Sequence, residues 1–159
     1  YLKLIDRFPE SPPLVIAGRI GWKSRILKPY LGGKKALSRI RFIGFVDDID
    51  LPILYRHAAL FVCASLYEGF GLPVLEAMAS GVPVVATNIS SLPEVTGSCA
   101  ALVRPDDAED LAQAMERILR DTTEAQMKSE AGIQHARGFS WELTAKKTLA
   151  AYHEVLRRH

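Results

Sequence analysis

The chain has 159 residues, 48% hydrophobic and 24% charged, with 20 Lys and Arg against 18 Asp and Glu for a net charge of +2. That length suits one domain with a sizeable core, and the near-neutral balance lacks the basic excess of a nucleic-acid binder. No apolar run approaches the ~20 residues of a membrane span and no signal peptide is visible, so a transmembrane segment is excluded while peripheral membrane contact stays open. Cys63 and Cys99 have no CxxC spacing, which fits a reducing, cytoplasmic compartment, and Cys63 reads as a small buried hydrophobe. His57, His135, His153 and His159 form no metal-ligand pattern.

In chain order, the spacing of Leu2, Leu4, Ile5 and Phe8 predicts an opening helix, followed by a turn over 9–13. Residues 14–17 form a short buried strand closed by Gly18. A polar helix is expected over 22–31, stopped by Gly32 and Gly33. A second strand covers 40–46, and Asp47, Asp48 and Asp50 lead into a helix with Pro52 in its first turn, running to about Ala58 with His57 at its end. The third strand, 60–64, delivers the chain to a glycine-rich segment that opens a helix over 72–79. A fourth strand follows over 82–86, with Pro83 tolerated at its start. A polar turn over 87–91, a short helix over 92–95 and a fifth strand over 100–103 come next. The remainder reads as helices over 108–120, 124–136 and 142–156, with Gly138 as a break and Ser140 as an N-cap.

Short continuous apolar strands alternating with helices indicate a doubly wound, mostly parallel α/β sheet of Rossmann-like type. Such sheets bind ligands beyond the carboxyl ends of their strands. The loops expected there are 44–48, 65–71 and 87–91.

The most chemically informative of these is Glu68-Gly-Phe-Gly-Leu-Pro-Val-Leu-Glu76. Gly69 and Gly71 allow tight or positive-φ turns, and Pro73 suits the first helical turn. The first amides of a helix have no internal partners and sit at the positive end of its dipole, so Phe70, Gly71 and Leu72 are candidate donors to a phosphate or to sugar hydroxyls. Glu68 lies just ahead of that anion site and Glu76 about one turn inside the helix. Carboxylates accept strong charge-assisted bonds from ribose or hexose hydroxyls. An acid near a helix start is favoured by the dipole whatever a protein does; the complete nine-residue run between a strand and a helix is what points to a nucleotide-sugar.

Together with Gly44-Phe-Val-Asp-Asp48, Ser65-Leu-Tyr-Glu68, Gly81-Val-Pro-Val-Val-Ala-Thr87, Ser91-Leu-Pro-Glu-Val95 and Phe139-Ser-Trp-Glu142, this segment resembles the C-terminal donor-binding domain of family 4 retaining glycosyltransferases of the GT-B fold. The resemblance spans essentially the whole chain. It implies transfer of a hexosyl group from a GDP-sugar or UDP-sugar to a hydroxyl acceptor with retention of configuration, as in the mannosyltransferase-like enzymes of glycan biosynthesis. In that scheme Glu68 is the catalytic residue, acting against the donor sugar by electrostatics and positioning. Glu76 holds the ribose hydroxyls, Gly69, Phe70, Gly71 and Leu72 meet the sugar and diphosphate, and Val46 and Asp48 meet the base. No cofactor and no metal are expected. The other class of reading is a nucleotide-sugar-binding module without catalysis.

The resemblance also sets expectations about what the chain lacks. Family members carry an Arg and a Lys that clamp the diphosphate after the domain's first strand, ahead of Tyr1 in this alignment of motifs. Arg19 and Lys23 follow the next strand and are not assigned to that role. Residues 1–159 thus read as a single donor domain cut from a longer chain, without its first strand and without the acceptor domain through which a sugar or lipid acceptor would be held. Residues 140–159 form a terminal helix expected to pack toward that domain. An isolated piece of this kind is expected to be poorly stable and inactive. The protein's place is expected to be cytoplasmic, with peripheral contact at the inner face of the membrane left open.

Overall fold

The computed structural model describes residues 1–18 and 38–157, and over these the chain alternates short strands with helices. In order they are α1 (Leu2–Arg7), β1 (Leu14–Ala17), β2 (Ile40–Gly44), α2 (Leu51–Arg56), β3 (Phe61–Cys63), α3 (Leu72–Ala79), β4 (Val84–Thr87), α4 (Leu92–Thr96), β5 (Ala101–Val103), α5 (Ala108–Arg120), α6 (Thr122–Ala136) and α7 (Trp141–Arg157). The helix expected over 22–31 with its glycine stop, and Arg19, Lys23 and His159, lie outside the described residues.

Every strand pairing is parallel, as the apolar strand pattern predicts. The strands form two ladders: β1 beside β2, and β3–β4–β5 with β4 in the middle. No ladder joins β1 to β3 among the described residues, and in the strand order that the resemblance implies these two are not neighbours.

β4 organises the core because side chains alternate across a strand. Val84 and Ala86 face a cluster with Val74, Ala77 and Met78 of α3, while Val85 faces Ala114 and Ile118 of α5. All four β4 residues are buried, so the sheet is covered on both faces. Burying each large aliphatic side chain here contributes about 1.5–3 kcal/mol. α1 closes one side through Leu4, which packs with Ala112 and Met115 of α5, and Lys3 and Arg7 both pair with Glu109 at the start of α5.

Several boundaries differ from the sequence expectation for local reasons. β2 ends at Gly44, not at Val46, because Gly44 turns left-handed at φ +71°. β4 starts two residues after Val82; Pro83 has no amide to give a ladder and contributes its carbonyl, which accepts from Phe61 N. α6 begins at Thr122, since the Asp121 carboxylate accepts from the amides of Thr123 and Glu124. Asp50 stands before α2 as expected, but no side-chain cap forms: Asp50 is itself in the helical region, and the helix start is tied through the carbonyls of Asp47 and Asp50. Ser140 does cap α7, its hydroxyl accepting from Leu143 N at 3.1 Å. α7 has no buried residue. Among the described residues no helix is long and apolar enough to cross a membrane.

Candidate functional site

Parallel strands send all their carboxyl ends the same way, and the loop after β3 meets the loop after β4 there. The nine-residue acidic segment leaves β3 and enters α3 through Gly71, whose φ of +99° only glycine adopts freely. A Cβ on Gly71 would stand 2.7 Å from Leu92 Cδ2, so α4 closes on the turn at glycine distance. Gly71 carries no side chain to cap the helix, and Pro73 in the first turn has no amide. Val74 and Leu75 both donate to the Gly71 carbonyl. Among the described residues, no protein group takes the amide hydrogens of Phe70, Gly71 or Leu72. These are the donors that the sequence assigns to an anion.

Glu68 is half-buried beside them and held on three sides. The Ser65 hydroxyl donates to Glu68 Oε1 at 2.6 Å, the Glu68 amide donates to Ser90 Oγ at 3.0 Å, and Ser91 Oγ donates to the Glu68 carbonyl at 3.1 Å. Ser91 Oγ also lies 2.9 Å from the Phe70 carbonyl. Ser65 is fixed in turn: Thr87 Oγ1 donates to its carbonyl at 2.6 Å, and the Cys63 thiol lies 3.6 Å from its hydroxyl. Cys63 packs against the core as the apolar run predicts, but it is only half-buried and its thiol joins a polar chain at the end of β3. A single residue, Ala64, separates it from Ser65, close enough for the thiol to reach.

Glu76 is exposed on α3 and takes a hydrogen bond from the Tyr55 hydroxyl, 3.1 Å from Oε2. Tyr55 lies on α2, its ring edge-on to Phe61 with centroids 5.5 Å apart. Burial, then the neighbouring Glu76 carboxylate, push the Tyr55 hydroxyl well above the ordinary tyrosine range, so it stays protonated and donating. On the other side of the turn Phe70 meets Phe139 edge-on at 6.0 Å, and Phe139 packs against His135, whose Nε2 is 2.9 Å from the Val95 carbonyl.

The structure thus places Glu68, Gly69, Phe70, Gly71 and Leu72 on one turn, with Glu76 on the helix α3 that this turn opens. Val46, half-buried, and Asp48, exposed, lie in the loop between β2 and α2; among the described residues no hydrogen bond links them to that turn. Sequence reading missed the hydroxyl groups that hold the two acids. Ser65 and Ser91 stand inside the quoted motifs and Thr87 and Ser90 in the flagged 87–91 loop, so a rule that half-buried acids need donors would have singled them out. Tyr55 is 21 positions from Glu76, and only the packing of α2 on α3 joins them.

Chemically, the turn offers amides that have no partner among the described residues, at the positive end of a helix and beside two carboxylates. An anionic group fits the amides, and hydroxyls fit the acids.

Known proteins resemble the chain in sequence and in fold. Residues 3–121 match the family model of glycosyl transferases group 1. The O-antigen chain mannosyltransferase B of Escherichia coli is 40% identical over 140 residues, covering 88% of this chain and 37% of that protein. Among solved structures, sucrose-phosphate synthase from Thermosynechococcus elongatus superposes with a TM-score of 0.85 at 28% identity, over 99% of this chain and 42% of its own. The C-terminal domain of a glycosyl transferase group 1 family protein from Francisella tularensis gives 0.74 at 29% identity, over 86% of this chain and 73% of that one. The chain therefore spans well under half the length of the mannosyltransferase and of the synthase. By the family match and by these superpositions on GT-B C-terminal domains, it belongs to the group 1 glycosyl transferases.

Proposed function

We propose that this domain holds the nucleoside-diphosphate-sugar donor of a retaining hexosyltransferase, with mannose the sugar that the similarity to a mannosyltransferase favours. The observation that carries the reading is the set of amides at Phe70, Gly71 and Leu72, without partners among the described residues, beside two acids that hydroxyl groups hold in place. The amides and the α3 dipole take the diphosphate, with Gly69 leaving room for the sugar. Glu76 takes the ribose hydroxyls, and Val46 and Asp48 stand toward the base.

The chemistry follows from where charge develops. As the bond from the sugar C1 to the phosphate oxygen breaks, negative charge grows on the leaving diphosphate, and fixed amides aimed at it are worth most once water is excluded. The acceptor oxygen bonds to C1 on the same face as its proton passes to the departing phosphate. Glu68 lies against the sugar, where a carboxylate stabilises the positive charge building at C1. No metal enters this scheme, and the acceptor is held by a part of the protein outside this chain.

The test is hydrolysis and transfer by the intact protein, offered UDP- and GDP-hexoses in turn. Wild type is expected to release the nucleoside diphosphate from one of them and to give product of unchanged anomeric configuration. Glu68→Ala should cost about 10²–10³ in rate, the usual scale for a transition-state charge partner, with an unchanged circular dichroism spectrum. Equal rates in the two proteins would remove Glu68 from the mechanism. Tight donor binding with no turnover by wild type, on any acceptor, would favour a binding module.

A further inference from the structure

We infer that Tyr55 is a positioning residue for donor binding, fixing the Glu76 carboxylate in the one orientation that receives the ribose hydroxyls. This rests on the nucleotide-sugar reading of the site and deepens it.

Glu76 sits on the exposed face of α3. A glutamate in that setting has three rotatable bonds and no basic residue in its own helix to choose among its rotamers. Tyr55 supplies the choice. Its hydroxyl has a single hydrogen, spent on Glu76 Oε2 at 3.1 Å, while Oε1 accepts no bond among the described residues and is left for a ligand. The donor is itself held: the Tyr55 ring lies edge-on to Phe61 of β3, and α2 packs on α3. The hydroxyl keeps its proton through neutral and mildly alkaline pH, so it remains a donor there. A ribose then meets a carboxylate already oriented, and the loss of rotamer freedom on binding falls on the free protein instead.

The inference separates from a merely structural role by its dependence on the ribose. Binding of GDP and UDP to the intact protein is measured beside binding of their 2′,3′-dideoxy analogues, for wild type, Tyr55→Phe, Glu76→Ala and the double variant. Wild type is expected to prefer the ribonucleotide, and Glu76→Ala to abolish that preference. Tyr55→Phe keeps the ring on Phe61 and should cut the preference by about three- to tenfold, the scale of one hydrogen bond to a charged group shared with solvent. Affinity for the dideoxy analogue should stay at the wild-type value, and in turnover the rise in donor KM should exceed the fall in kcat. Adding Tyr55→Phe to Glu76→Ala should cost nothing more. Equal weakening of both analogues by Tyr55→Phe, or no weakening of either, would overturn the positioning role while leaving the site reading intact. Failure of wild type to bind any of the diphosphates, or a ribose preference that survives Glu76→Ala, would overturn the site reading and the inference with it.

Discussion

The Ser65 hydroxyl stands 2.6 Å from Glu68 Oε1, donating to a carboxylate that would otherwise swing freely over the turn. The bond is short, one partner is ionised, and Ser65 is anchored at its own carbonyl by Thr87. Removing it with Ser65→Ala is expected to lower kcat by about ten- to a hundredfold, the rate equivalent of the ~1.5–3 kcal/mol that a hydrogen bond to a charged group contributes. Ser65→Thr keeps the hydroxyl and should recover most of the loss. Steady-state kinetics of the three proteins check this; equal kcat in Ser65→Ala and wild type would show that Glu68 needs no such anchor.

Gly71 is the point where backbone geometry and site coincide. At φ +99° an L side chain is strained, and an added Cβ would meet Leu92 Cδ2 at 2.7 Å, a side chain that is fully buried. Gly71→Ala is expected to cost about 1–3 kcal/mol in a denaturant unfolding curve, and to shift the Phe70 to Leu72 amides enough to raise donor KM as well. Unaltered stability would mean that the turn has a second conformation of similar energy.

How much of this was legible beforehand can be argued from particular residues. The parallel architecture, α3 starting at Leu72 and the set of loops at the strand ends follow from short-range signals: apolar runs of fixed length, glycine before proline, helices between strands. Where sequence reading went astray, the deciding fact was a backbone angle. Three aspartates stand before helices, and residue type alone ranks them equally. Asp107 and Asp121 have extended backbones and their carboxylates cap, whereas Asp50 is helical and its carboxylate does not. The serines around Glu68 stand in segments legible in the sequence, but their pairing across elements, and the Tyr55 partner of Glu76, needed the packed fold. Ser90, Ser91 and Tyr55 meet the acidic segment only through the packing of separate elements, at separations of 21 or more residues.

The aspartates give a direct test. Asp121→Ala removes the acceptor for the Thr123 and Glu124 amides and is expected to destabilise by about 1 kcal/mol, a fall in Tm of roughly 2–4 °C at this size. Asp50→Ala removes no cap bond and should stay within about 0.5 kcal/mol of wild type. Thermal melts of the two variants side by side would decide it, and equal losses would mean that Asp50 caps α2 in solution.

Ser90 joins strain to function in a way that two substitutions can separate. It is a non-glycine residue at φ +47°, a conformation that costs an L-residue roughly 1–2 kcal/mol. Its hydroxyl receives the Glu68 amide at 3.0 Å. Ser90→Gly relieves the strain and removes the hydroxyl; Ser90→Ala keeps the strain and removes the hydroxyl. Both should weaken catalysis alike, by about threefold to tenfold, because each leaves the Glu68 amide without its partner. In stability they should part, with Ser90→Gly about 1 kcal/mol above Ser90→Ala in chemical denaturation. Were the two to differ in kcat as much as in stability, the left-handed backbone at Ser90, and not its hydroxyl, would be what sets the position of Glu68.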